Sequence, residues 1–133
     1  HIPYGRQFIN KSDIDSVSSS LKADLITTGK NVKKFENKNS KFLKTKFSLS
    51  CSNGTAALHL AFCAIRLEKN DTIIMPSINF ISAYNMASNI GANIYLTDVD
   101  SKTGQMTPET LLNCINKFKL KKIKAILTMY IGG

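Results

Sequence analysis

Three short stretches carry residue types that could hold a ligand. Ser52-Asn53-Gly54-Thr55 lies between an alternating run, Phe47, Leu49 and Cys51 against Ser48 and Ser50, and an apolar, alanine-rich run. A helix that begins at Gly54 and Thr55 presents unpaired backbone N–H groups and the positive end of its dipole; Gly54 lets a ligand approach the backbone, and Thr55 adds a hydroxyl. A phosphate suits such a place. The plainer reading is that Ser52 or Asn53 caps the helix with no ligand involved, and the stretch is neither a Walker P-loop nor a G-x-G-x-x-G dinucleotide turn.

The second stretch, Pro76-Ser77-Ile78-Asn79-Phe80, offers an aromatic ring beside a polar pair. A flat heteroaromatic ligand tethered by its phosphate at the first stretch could stack there, and Phe80 as an ordinary core residue is the competing reading. The third is Asp98 to Gly104. His59, inside the helical run, reads as a packing residue rather than a catalyst.

The elements that must position these stretches follow from periodicity. Ser12 can cap a helix carrying Ile14, Val17, Leu21 and Leu25, with Asp13 and Asp15 in its first turn, ending before Thr27. A second helix, about Asn31 to Lys44, places Val32, Phe35, Phe42 and Leu43 on one side and lysines on the other. Strand and helix then alternate: strand Phe47–Cys51, helix Thr55–Leu67, strand Thr72–Met75 closed by Pro76, helix Phe80–Asn89, strand Asn93–Thr97, helix Pro108–Lys117 capped by Thr107, and strand Lys124–Tyr130. Such alternation without hairpin signals predicts an α/β fold with a mostly parallel sheet and helices on both faces. Ligands in such sheets lie at the carboxyl ends of the strands, where all three stretches fall.

With 133 residues, 43% of them hydrophobic, the chain can build one core of modest size. The net charge of +9 invites a nucleic-acid or membrane reading. Against it, arginine occurs only at Arg6 and Arg66, the lysines are interleaved with Asn, Ser and Ile, and the aromatic platform of single-strand binders is missing. A solvated basic surface is expected, with no nucleic-acid partner. Cys51, Cys63 and Cys114 are odd in number and scattered, which gives no disulfide framework and no metal site. No apolar run approaches the roughly 20 residues of a membrane span, so a cytoplasmic protein with no membrane partner is expected. The chain begins with His1 and stops at Gly133, where a buried strand would hand over to its loop; a piece of a longer protein is expected.

Taken in order, the motifs resemble those of the DegT/DnrJ/EryC1/StrS sugar aminotransferase family. They are I-P-Y-G-R-Q at Ile2 to Gln7, L-I-T-T-G-K at Leu25 to Lys30, F-E at Phe35 and Glu36, and S-N-G-T-A-A-L-H-L at Ser52 to Leu60. D-T-I-I-M-P at Asp71 to Pro76, N-F-I-S-A-Y-N at Asn79 to Asn85, G-A at Gly91 and Ala92, and D-V-D-S-K-T-G at Asp98 to Gly104 follow. No single motif is decisive, but the ordered set spans essentially the whole chain.

The resemblance implies a pyridoxal 5'-phosphate enzyme of the aspartate-aminotransferase fold type. Residues 1–45 would form an amino-terminal arm and helices lining the substrate pocket, and 46–133 the first part of the large three-layer αβα domain. It implies that Gly54, Thr55 and Ala56 hold the cofactor phosphate and that Phe80 stacks on the pyridine ring. Tyr4, Asp24, Leu25, Ile26, Thr27 and Gly29 would line a sugar-nucleotide pocket. The opening I-P-Y-G-R-Q is most similar to the pseudaminic-acid branch, which aminates C4 of a UDP-linked 4-keto-6-deoxy-N-acetylhexosamine with glutamate as donor, although Asn79 stands where many members have Thr. Nucleotide sugar, amino-acid donor and a second subunit in a homodimer are the implied partners.

In the family the cofactor-bearing lysine and the acid facing the pyridine nitrogen come after the segment matched here. No catalytic residue is therefore assigned, and dehydratase relatives, with histidine in place of that lysine, stay open. In the complete fold the first strand is separated from the next by strands contributed later. Phe47–Cys51 is thus expected to lack its neighbours, leaving the isolated piece unstable. The readings outside the family are a non-catalytic α/β module binding a phosphorylated ligand, and a basic nucleic-acid-binding protein.

Overall fold

The computed structural model describes residues 5–130. The chain divides into two compact units, residues 1–50 and 51–133.

The first unit contains α1 (Lys11–Leu21) and α2 (Lys30–Leu43). The cap of α1 is Asn10, not the expected Ser12: Asn10 accepts the Asp13 N–H while Asp13 accepts the Asn10 N–H, closing a reciprocal capping box. The helix also stops at Leu21, so Leu25 lies beyond it. No residue of either helix is buried. The apolar positions that set the periodicity, among them Ile14, Val17, Phe35 and Phe42, are exposed.

The second unit is built on α3 (Gly54–Ala64), β1 (Thr72–Pro76), α4 (Ser82–Ile90), β2 (Asn93–Thr97), α5 (Pro108–Phe118) and β3 (Ala125–Ile126). The sheet runs β2-β1-β3 and both pairings are parallel, Thr72 to Pro76 against Asn93 to Thr97 and Ile73-Ile74 against Ala125-Ile126. This bears out the α/β parallel fold. Two expected strands differ. Residues 47–51 form no strand, and the run from Lys124 to Tyr130 narrows to two paired residues. An alternating sequence makes a strand only where another strand offers it a ladder, and among the described residues 47–51 pair with none.

Side-chain alternation along β1 divides the core. Ile73 and Met75 pack with Phe62 of α3 and with Ala83 and Ala87 of α4 in one buried cluster, joined by Ile94 of β2. Ile74 takes the other face with its register partner Tyr95. There Tyr95 meets Phe118 of α5 with ring centroids 5.1 Å apart. The small side chains Ala83 and Ala87 let α4 lie close to the sheet; truncating Ile73 to Ala beneath it would cost about 2–5 kcal/mol.

The helix ends have local causes. Thr107 accepts the Thr110 N–H and Pro108 occupies the first helical position of α5, where a missing N–H costs nothing. Gly91 ends α4 at φ +83°, a left-handed conformation that strains other residues.

Candidate functional site

The start of α3 answers which residue caps it. Asn53 Oδ1 accepts the Ala56 N–H at 2.9 Å, and the Asn53 carbonyl accepts the Ala57 N–H at 3.1 Å. The third N–H of the helix is thereby engaged within the chain. By helix geometry the N–H groups of Gly54 and Thr55 have no carbonyl inside α3 to bond. They and the helix dipole form the anion-attracting end. A Cβ built on Gly54 meets no atom within 4 Å, so packing within the chain does not demand glycine there. The residue keeps the backbone bare where an outside group can reach it.

The preceding residues are tied to one another as well. The Cys51 thiol donates to the Asn53 carbonyl at 3.4 Å and the Asn53 amide to Ser52 Oγ at 3.2 Å.

The second stretch follows the carboxyl end of β1. The 11 residues of α3 span about 16 Å at 1.5 Å per residue, and the five of β1 span about the same at 3.3 Å each. Residues 65–71 connect the end of α3 to the start of β1, and Phe62 of α3 packs in one cluster with Ile73 and Met75 of β1. Beyond Pro76, the Ser77 N–H donates to the Thr97 carbonyl at 2.9 Å, which binds the β1–α4 loop to the end of β2. Phe80 follows, 68% exposed. It is therefore not a core residue of this chain, and its ring is free to stack. Beside it Asn79 Nδ2 is buried without a hydrogen-bond partner.

The third stretch has a structural task. Asp100 Oδ1 accepts the N–H groups of Lys102 and Thr103 and the Thr103 hydroxyl, while the Gly104 N–H donates to the Asp100 carbonyl at 2.8 Å. The Thr103 N–H first, then its hydroxyl, and least the Lys102 N–H hold the Asp100 carboxyl below its ordinary range. His59 is exposed rather than packed.

The substrate candidates belong to the first unit, except Tyr4, which lies outside the described residues. Asp24, Leu25, Ile26 and Gly29 line one open cleft between α1 and α2, and Thr27 is exposed but not in that lining. Gly29 has a reason of its own: a Cβ there would sit 2.8 Å from the Leu25 carbonyl oxygen. In the sequence Glu36 stands out only as half of the F-E pair. In the structure its Oε1 accepts both the Ser50 N–H at 2.8 Å and the Ser50 hydroxyl at 2.9 Å. No local pattern announces a bond across 14 residues.

No helix among the described residues is long and apolar enough to cross a membrane, and they contain no His, Cys, Asp or Glu group able to hold a metal ion.

Solved structures share this fold. An aminotransferase of Psychrobacter cryohalolentis superimposes with a TM-score of 0.84 at 28% identity, over 98% of this chain and 33% of its own. A protein named as a sugar aminotransferase, Spr1654 of Streptococcus pneumoniae in its PMP form, gives 0.83 at 25%, over 96% and 31%. Escherichia coli GDP-4-keto-6-deoxy-D-mannose-3-dehydratase with bound hydrated PLP gives 0.85 at 25%, over 96% and 33%. The chain thus spans about a third of the length of these structures. The latter two carry the pyridoxal class of cofactor expected from the sequence. The family model for the DegT/DnrJ/EryC1/StrS aminotransferases matches residues 7–133, nearly the whole chain, and the chain belongs to that family.

Proposed function

We propose that the chain is the amino-terminal part of a pyridoxal-phosphate-dependent aminotransferase acting on a nucleotide-linked keto sugar. The observations that support this reading are the start of α3, where the N–H groups of Gly54 and Thr55 have no acceptor within the helix, and the Phe80 ring, exposed just beyond β1. Those residues fit the cofactor: the helix end would hold its phosphate, and Phe80 would lie against its ring. Once bound, the cofactor supplies an electron sink for amino transfer. Phe80 would exclude water from one ring face and fix its tilt, Thr55 would donate its hydroxyl to a phosphate oxygen, and Ala56, its N–H already engaged, would pack beside them.

Asp24, Leu25, Ile26 and Gly29, with Thr27 and Tyr4, would recognise the sugar nucleotide. The finer reading is amination at C4 of a UDP-linked 4-keto-6-deoxy-N-acetylhexosamine from glutamate, by a cytoplasmic homodimer, in the pathway to pseudaminic acid. It rests on the I-P-Y-G-R-Q opening. Dehydration of the keto sugar is the second reading, supported by the likeness to the E. coli dehydratase.

The test is made on the complete protein. It should bind pyridoxal phosphate with a visible absorption band that borohydride converts into a stable label on one lysine, and glutamate plus the keto-sugar nucleotide should give the amino sugar. A cofactor that borohydride does not attach, with loss of water from the sugar, would replace the aminotransferase by the dehydratase. No cofactor binding at all would leave only a phospholigand module.

A further inference from the structure

All the lysines of α2 stand on one side of the helix. Lys30, Lys33, Lys34, Lys38 and Lys41, with Asn37 among them, line a single open groove. By helical spacing Val32, Phe35, Phe42 and Leu43 fall on the opposite side. From Lys30 to Lys41 the basic row extends about 16 Å at 1.5 Å per residue. No acid interrupts it. The one carboxylate of α2, that of Glu36, is engaged by the Ser50 N–H and hydroxyl, and none of these lysines forms an ion pair among the described residues.

The arrangement works against α2 itself. Lys30 and Lys34, and again Lys34 and Lys38, are like charges one turn apart, where such pairs destabilise a helix. Lys30 also lies in the first turn, at the positive end of the dipole, and no acid accompanies it there. A local conflict of this kind is expected where a partner relieves it.

We propose that the lysine face of α2 docks the protein peripherally on an anionic lipid surface. The row holds no arginine and no aromatic side chain, so it lacks both the bidentate fork and the stacking platform that nucleic-acid readers use. Lysine is a compact point charge that asks only for a dense field of negative headgroups, and a basic cluster on an amphipathic helix suits such a field. The attraction is electrostatic and needs neither a membrane span nor insertion of the apolar side. Each lysine near the surface adds about fivefold in affinity, and salt screens the effect.

The experiment is flotation of the complete protein with vesicles of equal parts phosphatidylglycerol and phosphatidylcholine, beside phosphatidylcholine vesicles and single-stranded RNA. Wild type should bind the anionic vesicles, be released by high salt and ignore the neutral ones. Lys33→Gln, Lys38→Gln and Lys41→Gln together should weaken vesicle binding by about a hundredfold. With like charges removed, this triple variant should melt no lower than wild type. Lys38→Gln alone should weaken binding by about fivefold and decides the matter if the triple variant does not fold. Lys102→Gln, Lys121→Gln and Lys122→Gln, at exposed positions of the second unit, lower the net charge equally and should leave binding near wild type. Equal losses in both triple variants would overturn the lysine face in favour of net charge. No binding of wild type to the anionic vesicles overturns the proposal outright, and RNA held through Lys33, Lys38 and Lys41 without vesicle binding replaces the lipid by a nucleic acid.

Discussion

Asn53 Oδ1 lies 2.9 Å from the Ala56 nitrogen, so one side chain caps α3 while leaving the N–H groups of Gly54 and Thr55 without an acceptor in the helix. On the proposed reading, capping and anion binding are separate tasks divided among adjacent residues, and substitutions can separate them.

Asn53→Ala should lower stability by about 1 kcal/mol through loss of the cap. Asn53→Asp keeps the acceptor and adds a charge that the helix dipole favours by about 0.3–1 kcal/mol, so the cofactor-free protein should melt no lower than wild type. The same charge repels a phosphate, and cofactor affinity should fall by about tenfold, equivalent to about 1.4 kcal/mol. Thermal melts beside a pyridoxal phosphate titration check the pair; undiminished affinity in Asn53→Asp would remove the anion from this site.

The glycines should respond in opposite directions. Gly91→Ala forces a Cβ into φ +83° and to 3.1 Å from Lys69 Cγ, a loss of about 1–2 kcal/mol. Gly29→Ala, with its Cβ 2.8 Å from a backbone oxygen, should cost about 1–3 kcal/mol. Gly54→Ala meets open space and should gain about 0.5–1 kcal/mol of helix stability, while hindering the cofactor. Urea unfolding of the three variants measures the signs.

Lys44 and Lys119 end α2 and α5 at φ 53° and 52°. Glycine removes the Cβ penalty of that conformation, and each Lys→Gly change should stabilise by about 1 kcal/mol. Melting temperatures that fall instead would mean that the lysine side chains contribute more than the strain they impose.

Asp100 sets an acid limit. Its folded pKa lies below the unfolded one, so its contribution to stability is complete above the unfolded carboxyl range, near pH 4, and disappears as pH falls through the folded value. Glu36, whose carboxyl is lowered by the Ser50 N–H and then its hydroxyl, adds to the same acid-side loss. Asp100→Asn should be less stable than wild type at neutral pH, with the difference closing as pH drops below about 4. Melts from neutral to strongly acidic pH would show it; parallel curves would contradict it.

What the sequence by itself determined is what depends on neighbours within a turn or two. The helix starting at Gly54, the Thr107 cap, Pro108 at the head of α5, and the Ile73-Ile74-Met75 strand all follow from spacing and local hydrogen-bonding capacity. The alternation of these elements implied the parallel sheet, and the ordered motifs pointed to the family. Local competition explains the lesser misses: Asn10 displaced Ser12 because Asp13 could return its bond.

Only the tertiary structure decided the rest. Whether Phe47–Cys51 becomes a strand depends on a ladder from distant chain, and none is provided among the described residues. Phe80 could be core or surface by its sequence, and the end of β1 left it exposed. The hold of Glu36 on Ser50 joins residues 14 apart, a distance over which no helical or strand period speaks. Pairing, exposure and long-range hydrogen bonds depend on which segments the fold brings together, which local spacing alone does not encode.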